Sequence, residues 1–160
     1  LAVQHSTLTD PELHEPKGIS GAGLDTVYHA NGAGSGTWKS ALSTLNNANK
    51  VFLSARIADI STASSTWTVA PLAGEIDKVY VVLFGSITTA NANVTIELGG
   101  TPVAGLQVVC AYAGSTAGSV FNDEPSGSAA VTEGQAIEII TDGASDTAMA
   151  AEVIIVLDVA

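Results

Sequence analysis

Val79-Tyr80-Val81-Val82-Leu83-Phe84 and Val153-Ile154-Ile155-Val156-Leu157 are continuously apolar and rich in β-branched and aromatic residues, the signature of strands covered on both faces. Around them the chain beyond Lys50 is cut into short β-branched segments by glycine, asparagine and serine clusters. Strands are predicted near Val51–Ile60, Ser65–Ala70, Glu75–Ile87, Asn93–Leu98, Val103–Ala111, Ser119–Asn122, Gln135–Thr141 and Ala148–Val159. That makes about eight, as expected of an all-β domain, an antiparallel β-sandwich of jelly-roll-like type. Pro71, Pro102 and Pro125 fall at strand ends or in loops, where a missing N–H does no harm. In a sandwich of this size the second face of the two apolar strands is most easily covered by a neighbouring subunit, so self-association is expected.

The first 45 or so residues read differently. Turn-formers crowd them: Asp10-Pro11, Glu15-Pro16, Lys17-Gly18, Gly21-Ala22-Gly23 and Asn31-Gly32-Ala33-Gly34-Ser35-Gly36. Neither helical nor strand periodicity is evident, so residues 1–49 are expected to form an extended N-terminal arm on a β-sandwich domain of residues 50–160. The arm's apolar anchors are Leu8, Leu13, Ile19, Leu24, Val27, Tyr28 and Trp38, too sparse to order a backbone without another surface to bury against. His14 and Pro16 join them as candidate partner-binding residues. Fully extended, such an arm reaches on the order of 150 Å at ~3.4 Å per residue. Within it, Trp38, Leu42 and Leu45 at i, i+4 and i+7 allow a short helix over Thr37–Asn49; the alternative is more extended arm.

Composition narrows the function classes. Charged residues are 13% of the 160-residue chain, roughly half the usual share, and 46% are hydrophobic. Such a surface is easily desolvated and suits a protein packed against partners. The net charge is −11, and all five basic residues (Lys17, Lys39, Lys50, Arg56, Lys78) lie in the first half. Without lysine or arginine to displace phosphate counterions, the C-terminal domain is a poor nucleic-acid binder. No apolar run approaches the ~20 residues of a bilayer span, so no membrane partner is expected, and with no basic, then apolar opening segment the protein is expected to be soluble and unexported.

Candidate chemistry gives way to plainer readings. Cys110 sits among Leu106, Val108 and Val109 and reads as a small buried hydrophobe. His5, His14 and His29 lie near Glu12, Glu15 and Asp25, but their spacing matches no ligand signature, so no metal or cofactor is expected. Gly32–Lys39 imitates a phosphate loop, yet Lys39 follows tryptophan and no strand is predicted before the glycines, so a turning part of the arm that lets Trp38 dock is expected. There is no Gly-x-Ser-x-Gly elbow and no histidine after His29 to serve a serine as base. Asp123, Glu124, Glu133, Glu138, Asp142 and Asp146 supply carboxylates for glycoside hydrolysis, but few aromatics accompany them to line a sugar cleft. Asp142-Gly143-Ala144-Ser145-Asp146 lacks the spacing of a calcium loop and reads as a turn. A non-enzymatic protein is expected.

His14-Glu15-Pro16-Lys17-Gly18, continued by Asp25-Thr26-Val27-Tyr28 and Asn31-Gly32-Ala33-Gly34-Ser35-Gly36-Thr37-Trp38, resembles a pattern of small virion proteins of tailed bacteriophages, the head decoration (cement) and head-fibre proteins. Glu133-Gly134-Gln135-Ala136-Ile137-Glu138-Ile139 with its Thr141-Asp142-Gly143 turn is similar to the last part of a phage jelly-roll domain. The resemblance implies a homotrimeric cement protein on the capsid surface of the virion, made in the bacterial host cytoplasm, with the major capsid protein as partner. It supplies a role and no active site. The competing reading is a phage tail or head-fibre adhesin whose loops around residues 88–93, 113–118 and 122–130 bind a host surface glycan.

Overall fold

The structure, a computed structural model, describes residues 26–30 and 36–40 through their backbone and residues 49–159 in full. The chain divides into two units, Leu1–Ala48 and Asn49–Ala160. In the first, β1 (Thr26–Ala30) and β2 (Gly36–Ser40) pair antiparallel, with Tyr28 opposite Trp38 and Val27 opposite Lys39. This corrects two expectations. Residues 36–40 are strand where the i, i+4, i+7 spacing allowed a helix, and the arm holds a two-stranded ladder where no strand periodicity was read. The physical reason is visible in Thr26-Val27-Tyr28 and Thr37-Trp38, β-branched and aromatic pairs flanking a glycine-rich connection, a combination that favours a hairpin over a helix. Residues 41–48, with Leu42 and Leu45, lie outside the described residues.

The second unit contains β3 (Lys50–Ile57), β4 (Ser64–Val69), β5 (Gly74–Leu83), β6 (Ala92–Leu98), β7 (Thr101–Cys110), β8 (Val120–Asp123), β9 (Ala130–Val131), β10 (Ala136–Thr141) and β11 (Ala151–Asp158). No helix occurs among the described residues. The strands form two antiparallel sheets, β3-β11-β5-β8 and β4-β10-β6-β7, with the two-residue β9 pairing the start of β5. Each of the eight anticipated segments carries a strand; β9 is the addition, too short to leave a pattern. The two sheets share one core, a β-sandwich arrangement in which inward side chains of both interdigitate.

Alternation decides which residues enter that core. Val153, Ile155 and Leu157 of β11 and Val79, Val81 and Leu83 of β5 are fully buried, facing Val94, Ile96, Val108, Ile137 and Ile139 of the other sheet. Burying each such side chain contributes about 1.5–3 kcal/mol. Two bulges keep apolar residues pointing inward where strict alternation would turn them out. On β5 the register skips Asp77, since Val156 pairs Lys78 while Leu157 pairs Ile76, so Ile76 and Val79 are both buried although three apart. On β7, Thr95 pairs Gln107 and Glu97 pairs Pro102, leaving Val103 and Leu106 both inward. Gly105, at φ +72° within that bulge, has backbone that a β-carbon disfavours, and one there would run into Ser126.

One end of the sandwich gathers the β3–β4, β5–β6, β7–β8 and β10–β11 loops and laces them together. Asp59 accepts hydrogen bonds from Ser61 N (2.9 Å), Ser61 Oγ (2.7 Å), Thr62 Oγ1 (3.1 Å) and Met149 N (3.3 Å). Ile60 N donates to Met149 O, and the buried Thr141 Oγ1 donates to Ile60 O at 3.1 Å. The buried Ser115 hydroxyl accepts from Ile87 N at 3.0 Å and joins the β7–β8 loop to the β5–β6 loop. Asp142 is occupied as a turn anchor, taking Asn93 N, Asn93 Nδ2 and Ala144 N.

Three outcomes follow from this packing. Ile155→Ala, which empties a fully buried site, lowers the free energy of unfolding by about 2–5 kcal/mol in urea denaturation. Hydrogen bonds from Ser61 hold the Asp59 carboxyl below its usual 3.8, so its contribution is present above that value and lost as pH falls through the lower, folded-state value. Asp59→Asn therefore lowers the melting temperature at pH 7, and the difference from wild type closes on acidification below pH 3.8. Burial pushes the Cys110 thiol up to about 12, so an alkylating reagent at pH 8 labels it only after denaturant is added.

Candidate functional site

The sandwich has two outer faces, and the face of β3-β11-β5-β8 carries apolar residues on all four of its strands. Its outward residues lie in three rows across the strands: Phe52, Val156 and Lys78; Ser54, Ile154, Tyr80 and Asn122; Arg56, Glu152, Val82 and Val120. Val156 is buried, Ile154, Tyr80 and Val82 are half-buried, and Phe52 and Val120 are 67% and 55% exposed. Phe84, just beyond β5, adds an exposed ring. The apolar centre thus runs from Phe52 across Val156, Ile154 and Val82 to Val120.

Charge is arranged at the margin of this patch. Lys50 Nζ bonds Asp158 at 2.7 Å and lies 3.4 Å from Asp77, where β3, β11 and the β5 bulge meet. Lys78 Nζ bonds Glu124 and sits 5.8 Å from the Tyr80 ring centre. The Arg56 guanidinium lies 4.8 Å over the Phe84 ring, a cation–π contact. The hydrogen bond to Asp158 raises the Lys50 ammonium above its ordinary value, and that to Glu124 does the same for Lys78. All three cations of residues 49–160 therefore decorate one sheet, and an apolar centre inside a charged margin is the layout of a protein–protein contact.

Of the residues singled out as partner-binding, Leu8, Leu13, His14, Pro16, Ile19 and Leu24 lie outside the described residues. Val27, Tyr28 and Trp38 are on the β1–β2 ladder, with Tyr28 and Trp38 in directly paired positions. None of them belongs to the face just described. Its members carried a signal in the sequence, namely the even-numbered residues of the two continuously apolar runs, which a strand buried on one side only would make polar.

Loops 88–93 and 113–118 share the laced end, whereas residues 124–130 follow the edge of β5 toward its beginning, where Ala130 pairs Glu75. Glu133 and Asp142 flank the six-residue β10, which separates them by roughly 20 Å at ~3.4 Å per residue, twice what a glycosidase pair tolerates. Among the described residues no three His, Cys, Asp or Glu side chains gather as a metal site; His5 and His14 lie outside them. The hollows among the described residues include one of about 280 Å³ between β3 and β4 lined by Arg56, Ser64, Ser65 and Thr66 and one of about 300 Å³ lined by Leu98, Val103, Ser128 and Ala129. No helix of the described residues is long and apolar enough to cross a membrane. Comparison of the chain with protein-family models, curated proteins and solved structures yields no match.

Proposed function

We propose that this chain is a structural virion protein that decorates and stabilises a bacteriophage capsid by bridging neighbouring major capsid protein subunits, and that it does so as a homotrimer. The observation that carries the reading is the outer face of β3-β11-β5-β8. Its centre is apolar across four strands, with Phe52 and Val120 exposed at the two ends and Val156, Ile154 and Val82 buried or half-buried between them, and exposed apolar side chains clustered on an outer face mark an interaction surface. A second copy, or a capsid subunit, covers it. The arm supplies further weak contacts, and joining several such contacts in one molecule makes dissociation require breaking them together.

The strand order supports a jelly roll. Strands β3 to β6 alternate between the two sheets, β7 pairs with β6 and β8 with β5, and β11 and β10 return between β3 and β5 and between β4 and β6. Counting β8 and β9 as one interrupted strand along the same edge of β5 gives the eight strands of two Greek keys. Such a scaffold presents two rigid faces and two loop ends, which suits bridging.

Two measurements test the proposal. Phe52→Ser combined with Val120→Ser converts the trimer to monomer in sedimentation velocity while changing the unfolding free energy by no more than about 0.5 kcal/mol per site, as exposed positions do; a wild-type monomer at all concentrations sinks the trimer. The full chain binds saturably to capsids stripped of it and raises their rupture temperature, and a chain lacking residues 1–45 does neither. Failure of the full chain to co-sediment with stripped capsids rejects the capsid role.

A further inference from the structure

The outer face of the other sheet has a different chemistry. On its edge strand β4, Trp67 is 59% exposed. Its directly paired neighbour on β10 is Glu138, whose neighbour on β6 is Glu97, followed by Pro102 on β7. Two residues along, the parallel row is Ser65, Ile140, Thr95 and Gln107. Both rows face outward, because the intervening Ile137, Ile139 and Ile96 are fully buried. At ~4.8 Å per strand the row spans about 14 Å, so an indole, two carboxylates, a carboxamide and two hydroxyls share one flat surface.

This row is not arranged for stability. Paired residues on one sheet face have β-carbons about 5 Å apart, and like charges placed so repel, yet Glu138 and Glu97 stand directly opposite each other. The three cations of residues 49–160, on β3 and β5, belong to the other sheet. An indole this exposed on an edge strand with no charge and no proline is likewise a liability in a free protein. Two costs in one row point to an occupant that uses both groups.

We propose that the Trp67-Glu138-Glu97 row binds a neutral saccharide. A pyranose ring has one face of C–H groups, which stacks on an indole, and a rim of hydroxyls. Those hydroxyls donate to the Glu138 and Glu97 carboxylates, strong acceptors that disperse their mutual repulsion by taking hydrogen bonds. Thr95 and Gln107 supply donors and acceptors for the next hydroxyls, and the row length accommodates a di- or trisaccharide. Uronic and sialic acids are rejected, since their carboxylates would meet two of like charge on a chain of net charge −11. The row is an open surface, so it holds a sugar without enclosing a bond to be cut. The site stands apart from the loops considered above and does not depend on the capsid role.

The test is isothermal titration of the full chain with neutral trisaccharides of glucose, mannose, galactose and N-acetylglucosamine, with sialyllactose and trilysine as charged probes. At least one neutral trisaccharide binds and quenches or shifts tryptophan fluorescence. Trp67→Ala weakens that binding by at least about tenfold, and Glu138→Gln weakens it measurably, each about 1.4 kcal/mol per tenfold. Neither variant lowers the melting temperature, because both side chains lie on an outer face, and Glu138→Gln raises it slightly by removing the like-charge pair. Absence of binding by every neutral sugar at about 10 mM, the weak limit for a useful contact, overturns the proposal. So does binding that survives Trp67→Ala. Salt-sensitive binding of trilysine in place of any sugar assigns the row instead to a lysine- or arginine-bearing protein segment.

Discussion

β11 is the strand on which the whole Asn49–Ala160 unit depends. It lies between β3 and β5 and pairs with both along its full length, from Ala151 opposite Ile57 and Leu83 to Asp158 opposite Lys50 and Glu75. Its inward residues Val153, Ile155 and Leu157 have no exposure. The strand that begins the unit therefore has no sheet partner until the strand that ends it arrives, a hundred residues later. Non-local pairing of this kind makes folding slow and cooperative, because loop closure must precede the contacts that reward it. The Lys50–Asp158 ion pair, the Asn49–Asp158 side-chain hydrogen bond and the Val159–Asn49 backbone bond then fasten the two ends of the unit together.

Much of this was readable in the residues. The β-branched segments between glycine and asparagine clusters located eight strands to within a few positions, since apolar side chains at strand length leave few alternatives to a sheet. Their pairing was not readable, because partners are set by which inner faces meet and not by any local pattern. The bulges were also hidden: Ile76-Asp77-Lys78-Val79 reads as a break in alternation, and only the unpaired Asp77 explains how both apolar residues reach the core. The β1–β2 ladder was missed for a related reason. Five-residue strands flanking a glycine-rich connection carry too few side chains to establish a period, and the i, i+4, i+7 spacing from Trp38 offered a competing helix.

The outer faces were legible unequally. Continuous apolarity in Val79–Phe84 and Val153–Leu157 announced that the second side of those strands is not ordinary surface, and Tyr80, Val82, Ile154 and Val156 on that side are half-buried or buried. The Trp67 row left no such trace. Trp67, Glu138 and Glu97 are far apart in the chain, each unremarkable within its own strand, and only the β4-β10-β6 register brings them into line.

Charge then separates the two faces. Residues 49–160 carry twelve carboxylates and three cations, a balance of −9, and every cation is placed on the β3-β11-β5-β8 sheet. There each cation is held at the patch margin, Lys50 and Lys78 by carboxylates and Arg56 by an aromatic ring. Two copies of so acidic a protein repel at most orientations, and within the Asn49–Ala160 unit this is the sheet face where opposite charges and apolar area coincide, so the proposed self-association would be steered toward it. The opposite face has carboxylates without cations, which disfavours a second acidic copy and leaves it to a neutral or cationic ligand. Because the faces lie on opposite sides of one sandwich, filling the first leaves the Trp67 row open. If copies associate through one face as proposed, the Trp67 rows presented by the other are multiplied, so a sugar contact too weak to hold as a single row would gain strength with every subunit added.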